Sequence, residues 1–197
     1  MILLPNYKIL KYLSFNKDIK RNYVFDYLYR IWNSVDTKRI AEVGAEKACA
    51  EWLISNGASL KWIGDNEFQN DYDSLSKISA DSLKISQIYA DNSSINARGL
   101  EYLKNITCLD SVTLNNCSQV NDYFLEKLCK MLENQLKVFK ITNCVQVTGK
   151  GIEEAAKLKK LELLEFYNLP SLENEEAVKK YLETHLIKSC KIITSPS

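Results

Sequence analysis

The sequence predicts an α/β chain in which about four strand–turn–helix repeats stack into a solenoid behind a small, mostly helical N-terminal cap. Three observations carry this. A pattern of apolar positions recurs about every 25 residues between 85 and 172, and a fixed period of this size marks stacked repeats. A strongly helical, differently patterned segment precedes it. The chain has 197 residues, 46% of them hydrophobic and 26% charged, enough to build one core without disulfides and too apolar to stay disordered.

The repeat reads apolar-x-x-apolar-x-apolar, with a small or Cys position three residues on. Its copies are Ile85/Ile88/Ala90/Ser93, Leu109/Val112/Leu114/Cys117, Leu136/Phe139/Ile141/Cys144 and Leu161/Leu164/Phe166/Leu169. The first positions are 24, 27 and 25 residues apart. The apolar-x-apolar core reads as a short strand with alternate residues inward, placing strands near 85–90, 109–114, 136–141 and 161–166. At the Cys position a buried thiol serves as a small hydrophobe, so Cys117 and Cys144 should be buried and unpaired. Val120, Val147 and Leu172 follow at a common offset, with Ile95 one residue early in the first copy. Gly99-Leu100, Phe124-Leu125 and Gly151-Ile152 then open return helices such as LEYLKNI and GIEEAAKLKKL. One repeat cannot bury its own face, and stacking makes the core continuous. The intervening strand positions share one face: Gln87, Tyr89, Asp91; Ser111, Thr113, Asn115; Val138, Lys140, Thr142; Leu163, Glu165, Tyr167. That set is polar with aromatic edges, suited to a partner protein or to plain solvation.

Upstream, YVFDYLYRIWNSV has helical spacing through Val24, Tyr27, Leu28, Ile31 and Val35. Residues 46–54 form a second helix with Ala48, Cys49, Trp52 and Leu53 on one face, so Trp52 should be buried against the first repeat. Asn56-Gly57 stops that helix, since glycine takes the left-handed conformation cheaply. A short strand through Leu60, Trp62 and Ile63 follows. Solenoids need such a cap over the first repeat.

Composition excludes several functions. With 26 Lys+Arg against 25 Asp+Glu the formal charge is +1, giving no nucleic-acid footprint. No run approaches the ~20 apolar residues of a membrane-spanning helix. The six cysteines show no Cys-x-x-Cys spacing, and with no secretory signal they read as free buried thiols rather than disulfides or zinc ligands. The single His185 lies on a terminal helix, and Gly149-Lys150-Gly151 is too short to cradle a nucleotide. No serine-nucleophile elbow, phosphate loop or dinucleotide fingerprint is present, so no enzyme and no small-molecule substrate is expected. Residues 1–17 are basic and acid-free, in the manner of a mitochondrial transit peptide, or else form a surface helix. The organisation is then a transit peptide over 1–22, a cap over 23–80, repeats over 81–193 and a tail over 194–197.

The repeats resemble the cysteine-containing leucine-rich type. Val35-Asp36-x-x-Arg39-Ile40-x-x-Val43-Gly44, Ala48, Glu51-Trp52-Leu53, Gly57-Ala58, Trp62, Gly64 and Asp71-Tyr72-x-x-Leu75 resemble one family in particular. It is the mitochondrial ATP synthase subunit s, or coupling factor B, family, to which distal membrane-arm assembly complex protein 2 is related. The resemblance covers nearly all of residues 24–193. It departs from the family where a Cys-x-Cys pair often ends the second repeat strand, since Asn115 replaces the first Cys and leaves Cys117. It departs again at Phe68, where the family usually has Trp. The resemblance implies a non-enzymatic protein peripherally bound on the matrix side of the inner membrane, partnered with the ATP synthase membrane sector and supporting proton conduction and its coupling to ATP synthesis. As the alternative it implies an assembly factor meeting complex I assembly intermediates. It further implies a magnesium (Mg2+) site on backbone carbonyls at Gly57 and Asp91, the latter standing where Thr is usual. The repeats alone would also suit a substrate adaptor of a ubiquitin ligase. Leu4-Pro5 begins as such an adaptor's box does, but the residues after it do not fit.

Overall fold

The computed structural model describes residues 27–75, 83–187 and 189–195. The transit-peptide segment 1–22 and Val24 lie outside them. Within the described residues the fold is α/β, with one mostly parallel six-stranded sheet. A helix through residues 27–32 (α1) is followed by α2 (Thr37–Val43), α3 (Ala45–Ser55), β1 (Ala58–Trp62) and a single turn, α4 (Tyr72–Leu75). Then come β2 (Ile85–Asp91), a 3-10 helix (Gly99–Asn105), β3 (Ser111–Asn115), α5 (Asp122–Met131) and β4 (Val138–Thr142). The chain closes with α6 (Gly149–Glu153), a second 3-10 helix (Glu154–Lys157), β5 (Leu163–Tyr167), α7 (Glu175–His185) and β6 (Lys191–Ile193).

The strands lie side by side in chain order. β1 is antiparallel to β2, and every later neighbour is parallel. Register follows the sequence period: Ile88, Val112, Phe139 and Leu164 pair in one row, and Ala90, Leu114, Ile141 and Phe166 in the next. Both rows are buried. The polar strand positions also fall into rows on the other face, such as Tyr89, Thr113, Lys140 and Glu165.

Two sequence expectations are refined. Leu109, Leu136 and Leu161 are fully buried but precede their strands, which begin two residues later. Neighbouring segments there are joined by backbone bonds, with Lys137 and Val138 N–H both donating to Asp110 O at 2.9 Å. The first and third return segments are shorter than full α-helices: Gly99–Asn105 is 3-10, and the third passes from α into 3-10 after the five residues Gly149–Glu153. A third finding corrects the first helix. Tyr27 and Ile31 are 63% and 47% exposed, because α1 turns Asn33 inward instead.

Each of β2 to β5 is followed by an asparagine of left-handed conformation: Asn92, Asn116, Asn143 and Asn168, with φ of 51°, 49°, 56° and 54°. Asparagine tolerates this region better than most residues. The bend turns the next residue, Ser93, Cys117, Cys144 or Leu169, into the core. Amides cross between the ends: Asn116 Nδ2 donates to Asn92 Oδ1 at 2.6 Å, and Asn143 Nδ2 to Asn115 Oδ1 at 2.7 Å. Return helices start on Asn121, Thr148 and Asn174, whose side-chain oxygens accept from Phe124, Lys150 and Ala177 N–H; each such cap stabilises its helix by about 1 kcal/mol.

All six cysteines are free, with Cys49, Cys117, Cys129 and Cys144 buried and Cys108 and Cys190 half-buried. Burial pushes the Cys117 and Cys129 thiols up to about 12. Since the thiolate is the nucleophile, native protein treated with iodoacetamide near neutral pH should label at Cys108 and Cys190 well before the other four. Peptide mass mapping, with a urea-denatured sample in which all six react, checks this.

Candidate functional site

The most constructed polar region lies where the cap meets the first strand–turn–helix unit. Asn56 ends α3, and Gly57, at φ 82°, turns the chain into β1. The side chain of Asn56 is fully used. Its Nδ2 donates to Trp52 O at 2.9 Å and Trp32 O at 3.2 Å, and its Oδ1 accepts from Ser94 Oγ at 2.9 Å and Asn33 Nδ2 at 3.2 Å. Its carbonyl accepts from Ser93 Oγ at 2.8 Å and Ser94 N–H at 2.9 Å.

Asn33, wholly buried, is the second centre. Its Nδ2 also donates to Ser94 O at 3.0 Å, and its Oδ1 accepts from Trp52 Nε1 at 3.1 Å and Asn96 N–H at 3.0 Å. Trp52 is 4% exposed, as the helical spacing predicts, and stacks on Tyr102 with ring centroids 5.5 Å apart. Tyr102 Oη in turn accepts from Asp36 N–H at 2.9 Å. One network thus joins α1, α2, α3 and the 3-10 helix of the first unit. Nothing in Trp32-Asn33-Ser34 repeats or matches a motif, so sequence reasoning missed Asn33. The four strand-end asparagines were detectable, because they follow the 24, 27 and 25 spacing of the apolar anchors.

Gly99 shows how closely the pieces meet: a Cβ there would overlap the Trp52 indole. Gly99→Ala should therefore cost about 1–3 kcal/mol, the usual cost of overpacking, read as a lower urea midpoint with an unchanged slope. An unchanged midpoint would mean the indole has room to slide.

Gly57 immediately precedes β1, and Asp91 is the last residue of β2, the antiparallel neighbour of β1. Ala58 faces Ala90 in the antiparallel register, and a Cβ on Gly57 would lie 4.0 Å from Ser93 Cα. Asp91 Oδ1 accepts from Asn115 Nδ2 at 2.6 Å, and Asn115 Oδ1 accepts from Thr142 Oγ1 at 2.8 Å. Asn115, standing where the resembled family often has Cys, thereby ties β2 to β4. No group of three or more His, Cys, Asp or Glu able to hold a metal ion exists among the described residues. An ion held by Gly57 and Asp91 would rest on carbonyl and carboxylate oxygens, the donor class magnesium takes.

On the polar sheet face, Lys140 Nζ pairs with Glu165 at 2.7 Å. Tyr89 is exposed and meets Phe68 at 5.8 Å, with Lys61 Nζ 4.7 Å above the Phe68 ring. No helix among the described residues is long and apolar enough to cross a membrane.

Several cap motif residues have structural roles. Asp36 caps α2 by accepting from Arg39 N–H at 2.9 Å. Arg39 grips Glu51 through Nε at 2.8 Å and Nη2 at 2.6 Å, the bidentate geometry only arginine provides. Gly44, at φ 84°, links α2 to α3, and Leu75 is buried.

No protein-family model matches the chain. Curated relatives do match. The bovine (Bos taurus) mitochondrial ATP synthase subunit s is 30% identical over 179 residues, covering 90% of this chain and 88% of the relative. The rat (Rattus norvegicus) protein of that name is 31% identical over 156 residues, 78% of each chain. The human (Homo sapiens) one is 29% identical over 166 residues, 83% of each. With this identity along most of both chains, and the cap motif intact in the structure, the chain belongs to the family of mitochondrial ATP synthase subunit s.

Proposed function

We propose that this is a non-enzymatic mitochondrial protein that associates with ATP synthase, docking on the membrane sector from the matrix side of the inner membrane and supporting the coupling of proton flow to ATP synthesis. The single observation that carries this is the likeness to the bovine subunit s along 88% of that protein. The stacked units are read as leucine-rich repeats, with the cap over roughly 23–80 and the repeats over 81–193. A stack of this kind offers no conduction path of its own. It acts by binding a membrane complex and favouring one of its states, which requires a differential contact with the two. The polar sheet face around Tyr89, Phe68 and Lys140 is the surface assigned to that contact. Residues 1–22 serve as the import signal.

A magnesium ion belongs to this reading as well, held by the carbonyls of Gly57 and Asp91 with the Asp91 carboxylate beside them. It would fix the strand end by charge and coordination and carry no reaction.

The test is recovery of the tagged full chain from mildly solubilised mitochondria, with the co-purifying proteins identified. Enrichment of ATP synthase membrane-sector subunits, reduced by Tyr89→Ala with Lys140→Ala, is the expected result. Enrichment of complex I intermediates without ATP synthase would overturn it in favour of the assembly role.

A further inference from the structure

We propose that Asn56-Gly57 is a latent deamidation site, held inert by the closed cap and released when the cap opens, so that opening converts into permanent damage to the cap. It is the one Asn-Gly pair in the sequence. Glycine after asparagine makes this dipeptide labile, because without a Cβ the glycine nitrogen reaches the asparagine side chain easily. The reaction is internal. The Gly57 backbone nitrogen, losing its proton to base, attacks Asn56 Cγ, a C–N bond forms, and the side-chain nitrogen leaves as ammonia. Water then opens the resulting succinimide at either carbonyl, leaving aspartate or isoaspartate at position 56.

The folded chain blocks every requirement. The nucleophile is engaged, since Gly57 N–H donates to Ile54 O at 3.0 Å. The electrophile is fixed by four hydrogen bonds, two from each end of the amide. Asn56 is only 3% exposed, which keeps base and water away. All four partners of the amide lie in the cap or in the first turn after β2, so separation of α1 or of that turn frees the side chain.

The product cannot go back. A carboxylate has only acceptors, and Trp52 O and Trp32 O would then face it where two N–H donors now stand. A buried charge opposite carbonyls is strongly unfavourable, and an isoaspartate adds a methylene to the backbone at the helix end. A transient opening of the cap thus becomes a lasting one, and the extent of conversion at position 56 records how long the cap has been open.

The experiment incubates full-length protein in mildly alkaline buffer and follows residue 56 by peptide mass, with isoaspartate detected by enzymatic methylation. Native wild-type protein should convert at least about tenfold more slowly than the same chain in urea, since local opening limits the reaction. Tyr102→Phe, which removes the hydroxyl acceptor for Asp36 N–H yet keeps the ring on Trp52, should convert faster than wild type while still folded. Asn56→Asp should lower the melting temperature and expose the cap to protease. Equal rates for native and urea-treated wild type would overturn the proposal, as would an Asn56→Asp chain as stable as wild type. Should Asn56→Asp fail to fold, the rate comparison decides alone.

Discussion

Truncating Trp52 to alanine is expected to cost roughly 3–5 kcal/mol, the usual range for removing a large buried aromatic. A domain of this size is held by only ~5–15 kcal/mol in total, so the variant should sit near the edge of stability. Three losses add together. The indole leaves a cavity between α3 and the 3-10 helix at Gly99. Tyr102 loses its stacking partner. Asn33 Oδ1 keeps one donor, Asn96 N–H, of the two it has. Trp52→Phe separates them: it preserves most of the apolar contact and deletes the hydrogen bond, so it should cost about 1–2 kcal/mol. Urea denaturation of both variants decides. If Trp52→Ala keeps the wild-type midpoint, the cap is not held on the first unit by this residue.

A second large effect is alkaline loss of stability. Cys117 and Cys129 have an ordinary value of 9.0, and burial pushes both to about 12. Burial also raises Cys49 and Cys144. The folded pKa exceeds the unfolded one, so the contribution is complete below pH 9 and is lost as pH rises toward the folded value. Between these limits the unfolded chain releases protons that the folded chain retains. Each such thiol then removes about 1.4 kcal/mol of stability per pH unit. For Cys117 and Cys129 alone that is about 3 kcal/mol one unit above the ordinary value. Urea midpoints should be flat from neutral pH to about 8.5 and fall steeply beyond it. Cys129→Ala should start lower, because it leaves a small cavity, yet fall less steeply by one thiol's share. A profile flat to pH 11 would show that the thiols ionise in place without unfolding.

The sheet was largely legible before any coordinates because its information is periodic. Ile88, Val112, Phe139 and Leu164 announce a row by recurring at matching offsets, and the parallel register follows. Trp52 was legible for the same reason, sharing a helical face with Ala48, Cys49 and Leu53. What escaped depends on single residues meeting across long separations. Asn33 reaches Ser94 and Asn96 more than 60 residues away, and no local pattern marks a polar side chain that will be buried. Tyr27 and Ile31 misled in the opposite sense: their spacing is helical, but burying Asn33 rotates the helix and leaves both outside. The return segments read as α-helices, yet two of them contain 3-10 turns, at Gly99–Asn105 and Glu154–Lys157. Gly57 and Asp91 were paired by resemblance alone. The antiparallel β1–β2 register, which sets the strand after Gly57 beside the strand ending at Asp91, is not encoded in any repeating form.

The strict agreement between strand order and chain order bears on how the molecule is assembled in time. Each unit finds its neighbour a couple of dozen residues away, so no strand pairing has to close a loop spanning the whole chain. Such a chain grows like a zipper rather than collapsing at once. Its two ends are unequal. At the start, β1, the Asn33–Asn56 network and the Arg39–Glu51 clasp seal the first unit. At the far end, among the described residues, β5 is paired on its outer edge by β6 alone, three residues long and half-exposed. Fraying should therefore begin at Lys191–Ile193 and travel inward, and amide exchange should rise from β3 toward β6. A chain cut after α7 should keep the seal intact, whereas one begun after Asn33 loses it at the outset.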